Sequence, residues 1–131
     1  DQLAERPDAF PALAVLAARQ PGTTHFTNIG VLRGKESDRI AAMERGLGSC
    51  GVACASTPDA FTVTGPLLEP RSARGPLMIP CAPDHRIVMA FALLGSVLEC
   101  GVEIDHPEAV RKSWPGFFEW LSAFARVTPV P

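Results

Sequence analysis

The sequence carries no surplus of positive charge. Lys and Arg number 12 against 14 Asp and Glu, a formal net charge of −2. Such a chain projects no bulk basic field, so neither nucleic acid nor a membrane surface is expected as a partner. Any site for an anion must be built from cations gathered locally. A long apolar run is missing as well. The longest, from Ile87 to Cys100, is broken by Gly95, Ser96 and Glu99, and is too short and too polar to span a bilayer. No basic stretch precedes an apolar one near the N-terminus, so no signal peptide is expected. Metal-ligand spacings are also lacking. Cys50, Cys54, Cys81 and Cys100 contain no Cys-x-x-Cys pair, no His stands at ligand spacing from any of them, and His25, His85 and His106 are scattered. The thiols are expected to be reduced, in a cytoplasmic protein with no disulfide, no metal and no cofactor.

What is present is enough apolar material for a core. Hydrophobic residues make up 47% of 131 positions. A single domain of this size buries roughly two-thirds of its unfolded surface. The chain opens on Asp1 rather than Met, and the expectation is a piece of a longer protein.

Punctuation and periodicity give the elements. Pro7-Asp8 opens an apolar helix from Ala9 to Arg19, with Asp8 as its expected cap and Pro11 tolerated in the first turn. Pro21-Gly22 ends it, and Thr23 to Thr27 reads as a strand. Ile40, Met43 and Leu47 share one face of a second helix, Ser37 to Leu47, which Gly48 is expected to terminate. Val52 to Ala55 and Phe61 to Thr64 read as strands joined by a turn at Pro58-Asp59, and 67–76 as a Pro/Gly/Arg-rich loop. Leu77 to Ile79 and Val102 to Ile104 read as further strands. Arg86 to Glu99 is a helix apolar nearly all round, and Pro115 to Arg126 a last one.

One spacing recurs. Asp8 and Lys35 stand 27 residues apart, as do His85 and Lys112. Each pair brackets an apolar helix, a strand and a Lys-bearing loop. A repeated unit of this order brings the two Lys loops to equivalent edges of the fold.

The polar residues worth chemistry collect at helix starts: Asp8; Arg33, Lys35, Glu36, Asp38 and Arg39; Asp84, His85 and Arg86; Arg111 and Lys112. Cations there oppose the helix dipole, which a merely solvated face does not require. A pocket for a multiply charged anion does, since Arg grips carboxylate and phosphate with parallel hydrogen bonds. Asp8 and Glu36 beside it are candidates for acid–base work. Asp38 is expected to cap its helix or pair with a nearby Arg. His85 is expected to hold its loop through ring hydrogen bonds, and Trp114 and Phe117 to belong to the core.

Arg33-Gly34-Lys35-Glu36-Ser37-Asp38-Arg39-Ile40 resembles the signature of the EPSP synthase family, of which Lys-Glu-Ser/Thr-Asp-Arg is the diagnostic core. Pro7-Asp8 and Gly22-Thr23-Thr24 are similar to the segment before that signature. Asp84-His85-Arg86 with Met89-Ala90-Phe91 is similar to the second, and Lys112-Ser113-Trp114-Pro115-Gly116-Phe117-Phe118 to the third. The motifs keep the family's order and cover nearly the whole chain. Pro83 and Gly34 stand where the family more often has Asn or Asp and Val.

The resemblance implies an α/β fold of βαβαββ units in an inside-out barrel, helices inside and sheets outside. Residues 1–131 would form about two units of a C-terminal domain, with the N-terminal domain absent. It implies transfer of the enolpyruvyl group of phosphoenolpyruvate to shikimate 3-phosphate in the shikimate pathway. By the same resemblance Arg39, Arg86 and Lys112 hold phosphoenolpyruvate. Asp8 orients or deprotonates the attacking hydroxyl, Glu36 moves a proton at the enol methylene, and Lys35 and Asp8 contact shikimate 3-phosphate. Lys112 is counted with Asp8 and Glu36 in the catalytic set. The alternative is a non-catalytic, truncated anion-binding domain.

Overall fold

The computed structural model describes residues 5–69 and 75–131. Part of the loop expected at 67–76 therefore lies outside the described residues. The chain is a mixed α/β structure.

A 3₁₀ turn, Pro7–Ala9, runs directly into helix α1, Phe10–Arg19. Pro11 sits in the first turn, where its missing N–H sacrifices no helical hydrogen bond. Phe10, Ala14, Val15 and Ala18 recur at helical spacing and are buried. Asp8 does not cap α1. The preceding residue is Ala9, no side chain bonds the free N–H groups, and Asp8 lies inside the 3₁₀ turn with its carboxylate committed elsewhere.

Strand β1, Gly22–Thr27, follows, then a 3₁₀ turn, Gly30–Gly34, and helix α2, Arg39–Ser49. The helix starts two residues later than its pattern suggests, because Asp38 is the cap: its Oδ1 accepts the Ala41 N–H at 3.0 Å. It also runs past Gly48. The end is set by Gly51, at φ +79°, with the Gly51 N–H bonded to the Gly48 carbonyl at 2.9 Å and the Val52 N–H to the Leu47 carbonyl at 3.1 Å. This paired closure needs a left-handed residue after the last turn, and Gly51 supplies it at no steric cost.

Strands β2, Ala53–Ser56, and β3, Ala60–Gly65, form the expected hairpin about Pro58-Asp59. With β1 they make an antiparallel sheet in the order β1-β3-β2. Phe26 lies opposite Phe61, and Phe10 of α1 packs edge-on against both, at ring-centre distances of 5.3 and 5.5 Å.

Strand β4, Leu77–Ile79, and strand β5, Val102–Ile104, pair in parallel and are joined through helix α3, His85–Ser96. α3 ends three residues earlier than its apolar run suggests. Beyond Ser96 the chain turns toward β5 through Gly101, at φ +68°. Its apolar surface is not wholly covered either, since Leu93, and Val97 just past its end, are exposed. α1, α2 and α3 pack on one another, α1 against β3, α2 against β2 and α3 against β5. The α2–α3 contact is close enough that a Cβ on Gly46 would fall 2.2 Å from Cζ of Phe91.

A third 3₁₀ turn, Pro107–Lys112, leads to helix α4, Phe117–Leu121. α4 is shorter than its pattern suggests. Phe117 and Leu121 are buried, while Phe124 is 71% exposed, so continuing the helix would bury little more. The order α1, β1, 3₁₀ turn, Lys35 recurs as α3, β5, 3₁₀ turn, Lys112.

Candidate functional site

Helices α2 and α3 begin side by side, and the site is built on their first residues. Arg39 opens α2 and is 1% exposed; Asp84, the cap of α3, is fully buried. Arg39 Nε donates to Asp84 Oδ2 at 2.8 Å, and its Nη2 to Oδ1 at 3.4 Å. Asp84 also accepts the Arg86 N–H and the Ser37 hydroxyl, each at 2.9 Å. One carboxylate thus caps α3, holds the loop before α2 and fixes the buried guanidinium.

Two more carboxylates complete the shell of Arg39. Its Nη1 donates to Asp8 Oδ1 at 2.7 Å and its Nη2 to Glu36 Oε2 at 2.9 Å. Asp8 Oδ2 reaches on to Arg86 Nη2 at 3.2 Å, and Glu36 Oε1 accepts from Lys112 Nζ. Asp8, Glu36, Arg39, Arg86 and Lys112, from four separated segments, therefore form one connected network. Lys35 is the looser member. It is exposed and acts on Asp8 through its charge, with no ion pair to a described residue.

Three cations face three carboxylates, a balance that makes the buried charge tolerable. The Arg39 hydrogen bond, aided by Arg86, holds the Asp8 carboxyl below its ordinary range against the opposing effect of burial. The Lys112 hydrogen bond, then Glu36's own backbone N–H, brings the Glu36 carboxyl down to about 2. Burial works against the charge on Arg39, but Asp84 and Asp8 outweigh it and raise its pKa. The network runs from a dry floor to a wet rim. Asp84 and Arg39 are sealed, whereas the side chains of Asp8 and Lys112 are 54% and 59% exposed.

Two nitrogens at this floor, Nδ1 of His85 and Nε of Arg86, are buried without a hydrogen-bond partner. His85 Nδ1 lies 3.8 Å from Asp84 Oδ1, beyond hydrogen-bond reach. Nδ1 of His85 therefore does not anchor the loop in the way expected of the ring, and Asp84 holds the loop instead. Burial lowers the pKa of His85, with Asp84 opposing. Asp84, named in the sequence among the polar residues at helix starts but given no role there, carries this floor; an Asp directly before an apolar helix was the available signal for a cap.

The other polar candidates serve the scaffold. Asp38 caps α2 and accepts from Arg33 Nη1 at 2.8 Å, both of the roles expected of it. Arg33 Nε donates to the Pro58 carbonyl at 3.0 Å and its Nη2 to the Thr57 carbonyl, fastening the hairpin tip. Phe117 is core as expected. Trp114 is half-exposed, 5.0 Å from Trp120 ring to ring. Among the described residues no group of three or more His, Cys, Asp and Glu could hold a metal ion. No helix among them is long and apolar enough to cross a membrane.

The model of the EPSP synthase (3-phosphoshikimate 1-carboxyvinyltransferase) family matches residues 2–121. The chain belongs to the EPSP synthase family. Among its relatives, the 3-phosphoshikimate 1-carboxyvinyltransferase of Paramagnetospirillum magneticum is 43% identical over 115 residues, 88% of this chain and 25% of the relative. That of Campylobacter jejuni subsp. doylei is 42% identical over 122 residues, 93% of this chain and 27% of the relative. A solved EPSP synthase from Acinetobacter baumannii aligns over 98% of this chain and 30% of its own, with a TM-score of 0.79 and 30% identity. A second structure from the same organism aligns over 88% and 26%, with a TM-score of 0.75 and 34% identity. The chain thus spans about a quarter of the length of the curated EPSP synthases it matches.

Proposed function

We propose that this chain forms one wall of an EPSP synthase cleft, in which the enolpyruvyl group of phosphoenolpyruvate moves to shikimate 3-phosphate with release of phosphate. This is a step of the shikimate pathway to aromatic amino acids. The observation that carries the reading is the convergence of Arg39, Arg86 and Lys112 on the shared carboxylates Asp8 and Glu36. Cations for an anion and carboxylates for proton transfer are what this reaction needs in one place.

Arg39, Arg86 and Lys112 hold the phosphate and carboxylate of phosphoenolpyruvate, and the unpartnered Nε of Arg86 has a donor to offer. Asp8 orients and deprotonates the attacking hydroxyl of shikimate 3-phosphate, and Lys35 contacts that substrate's phosphate. Glu36 delivers a proton to the enol methylene as the hydroxyl oxygen bonds to the neighbouring carbon. The tetrahedral adduct then loses phosphate, which carries away the proton held on Asp8, while a methyl proton returns to Glu36 and restores the double bond.

The wet rim calls for a second wall. Charged contacts open to solvent are screened and weak, while a closing domain excludes water and aligns hydroxyl with enol carbon. We assign that wall to the N-terminal domain of the longer relatives. The recurring order of α1, β1 and α3, β5 fits two βαβαββ units of an inside-out barrel. A cytoplasmic setting fits the four free thiols. The test is release of phosphate from phosphoenolpyruvate and shikimate 3-phosphate, with this chain alone and with a separately supplied N-terminal domain. Turnover only in the mixture is expected. Binding of phosphoenolpyruvate with no turnover in either arm would favour a non-catalytic anion-binding domain.

A further inference from the structure

We propose that this site stores its cations on its own carboxylates, and that an arriving anion takes Lys112 from Glu36 and leaves Glu36 to bind a proton from solvent. The proposal rests on the reading of the cluster as an anion clamp and adds to it how the acid becomes charged with its proton.

The three carboxylates on Arg39 are unequal. Asp84 is sealed, accepts from Arg39, Ser37 and the Arg86 N–H, and caps α3, so displacing it would open a helix end. Asp8 is shared between Arg39 and Arg86. Glu36 is held by Arg39 from its own segment and by Lys112 from the turn Pro107–Lys112, and Lys112 is the most exposed of the three paired cations. A solvent-exposed Lys–carboxylate pair is worth little, so this link yields to an anion that offers more oxygens.

The consequence for Glu36 follows from what faces it. Arg39 and its own backbone N–H lie on its own segment, Lys112 on the turn after β5, and His85 is felt from the start of α3. His85 is held toward its neutral form by burial, so it offers Glu36 little positive charge. Without Lys112, Glu36 loses the strongest influence keeping it ionised, and the ligand places negative charge beside it. Both changes favour the protonated carboxyl. Resting and ligand-bound states then differ by one proton taken up, and no bond to carbon is made or broken. A proton donor is therefore assembled only when there is something to protonate.

The test is carboxyl-carbon NMR of this chain labelled at Glu, titrated with pH in the absence and presence of saturating phosphoenolpyruvate, with inorganic phosphate as a second probe. The Glu36 midpoint is expected to climb from about 2 toward 4.5 or above when either anion binds. Lys112→Met, a change at an exposed position, should raise the midpoint without ligand and shrink the ligand-induced rise. Binding seen at other resonances with the Glu36 midpoint unmoved would overturn the proposal while leaving the anion clamp standing. No binding of either probe, by this chain alone and with the N-terminal domain supplied, would overturn both.

Discussion

Asp84→Ala removes the one carboxylate that is fully buried among the described residues, and its cost can be worked from the contacts. Deleting one partner of a buried ion pair strands the other charge, at about 3–5 kcal/mol. Arg39 keeps Asp8 and Glu36, so the lower end applies. Loss of the α3 cap adds about 1 kcal/mol. The expected total is about 4 kcal/mol, read by urea unfolding at neutral pH. Asp84→Asn keeps a cap of equal quality and should cost less by about the capping contribution. If stranding Arg39 is the main effect, the double variant Asp84→Ala with Arg39→Met should be more stable than the two losses summed, by about 1–3 kcal/mol. A loss below about 1 kcal/mol for Asp84→Ala, or strict additivity in the double variant, would refute the reasoning.

Three further outcomes are expected. Because Glu36 and Asp8 have depressed pKa values in the folded chain, their stabilisation is complete above their unfolded values and is lost as pH falls through the folded ones. For Glu36 the window runs from about 4.5 down to about 2, and Glu36→Gln should flatten the acid limb of a stability–pH curve there. Gly46→Ala forces a methyl against the Phe91 ring and should destabilise the chain by about 1–3 kcal/mol in thermal melts; an unchanged melt would contradict the α2–α3 contact. Thiol titration should count four thiols in the denatured, unreduced chain, and Cys81, pushed up to about 12 by burial, should resist alkylation while the chain is folded.

Much of the candidate site was legible because cations at helix starts oppose the dipole and ask for a reason. Arg39 and Arg86 stand out in that way, and Asp8 and Glu36 by their proximity in the pattern, whereas Lys112 closes the turn Pro107–Lys112 well before α4 begins. The equal spacing of Asp8 to Lys35 and His85 to Lys112 correctly anticipated elements in the same order. What sequence could not show was which charges are dry. Asp84 and Arg39 are sealed only because α2 and α3 start together, a fact of packing between segments 45 residues apart. Helix ends failed where local signals competed. Gly48 and Gly51 are both plausible terminators, and only the left-handed backbone at Gly51 decides. For α4 the apolar pattern continues past Leu121, but Phe124 stays largely exposed with an edge contact to Trp120, so periodicity overstated the helix's length.

The claim that matters most is that this cluster performs anion binding and proton transfer in enolpyruvyl transfer. Steady-state kinetics of this chain combined with a separately supplied N-terminal domain tests it most directly, varying phosphoenolpyruvate at saturating shikimate 3-phosphate. The account predicts that Glu36→Gln lowers kcat by about 10²–10⁴-fold and that Arg86→Ala mainly raises the KM for phosphoenolpyruvate. A Glu36→Gln variant at full speed, or an Arg86→Ala variant with unchanged KM, would contradict it.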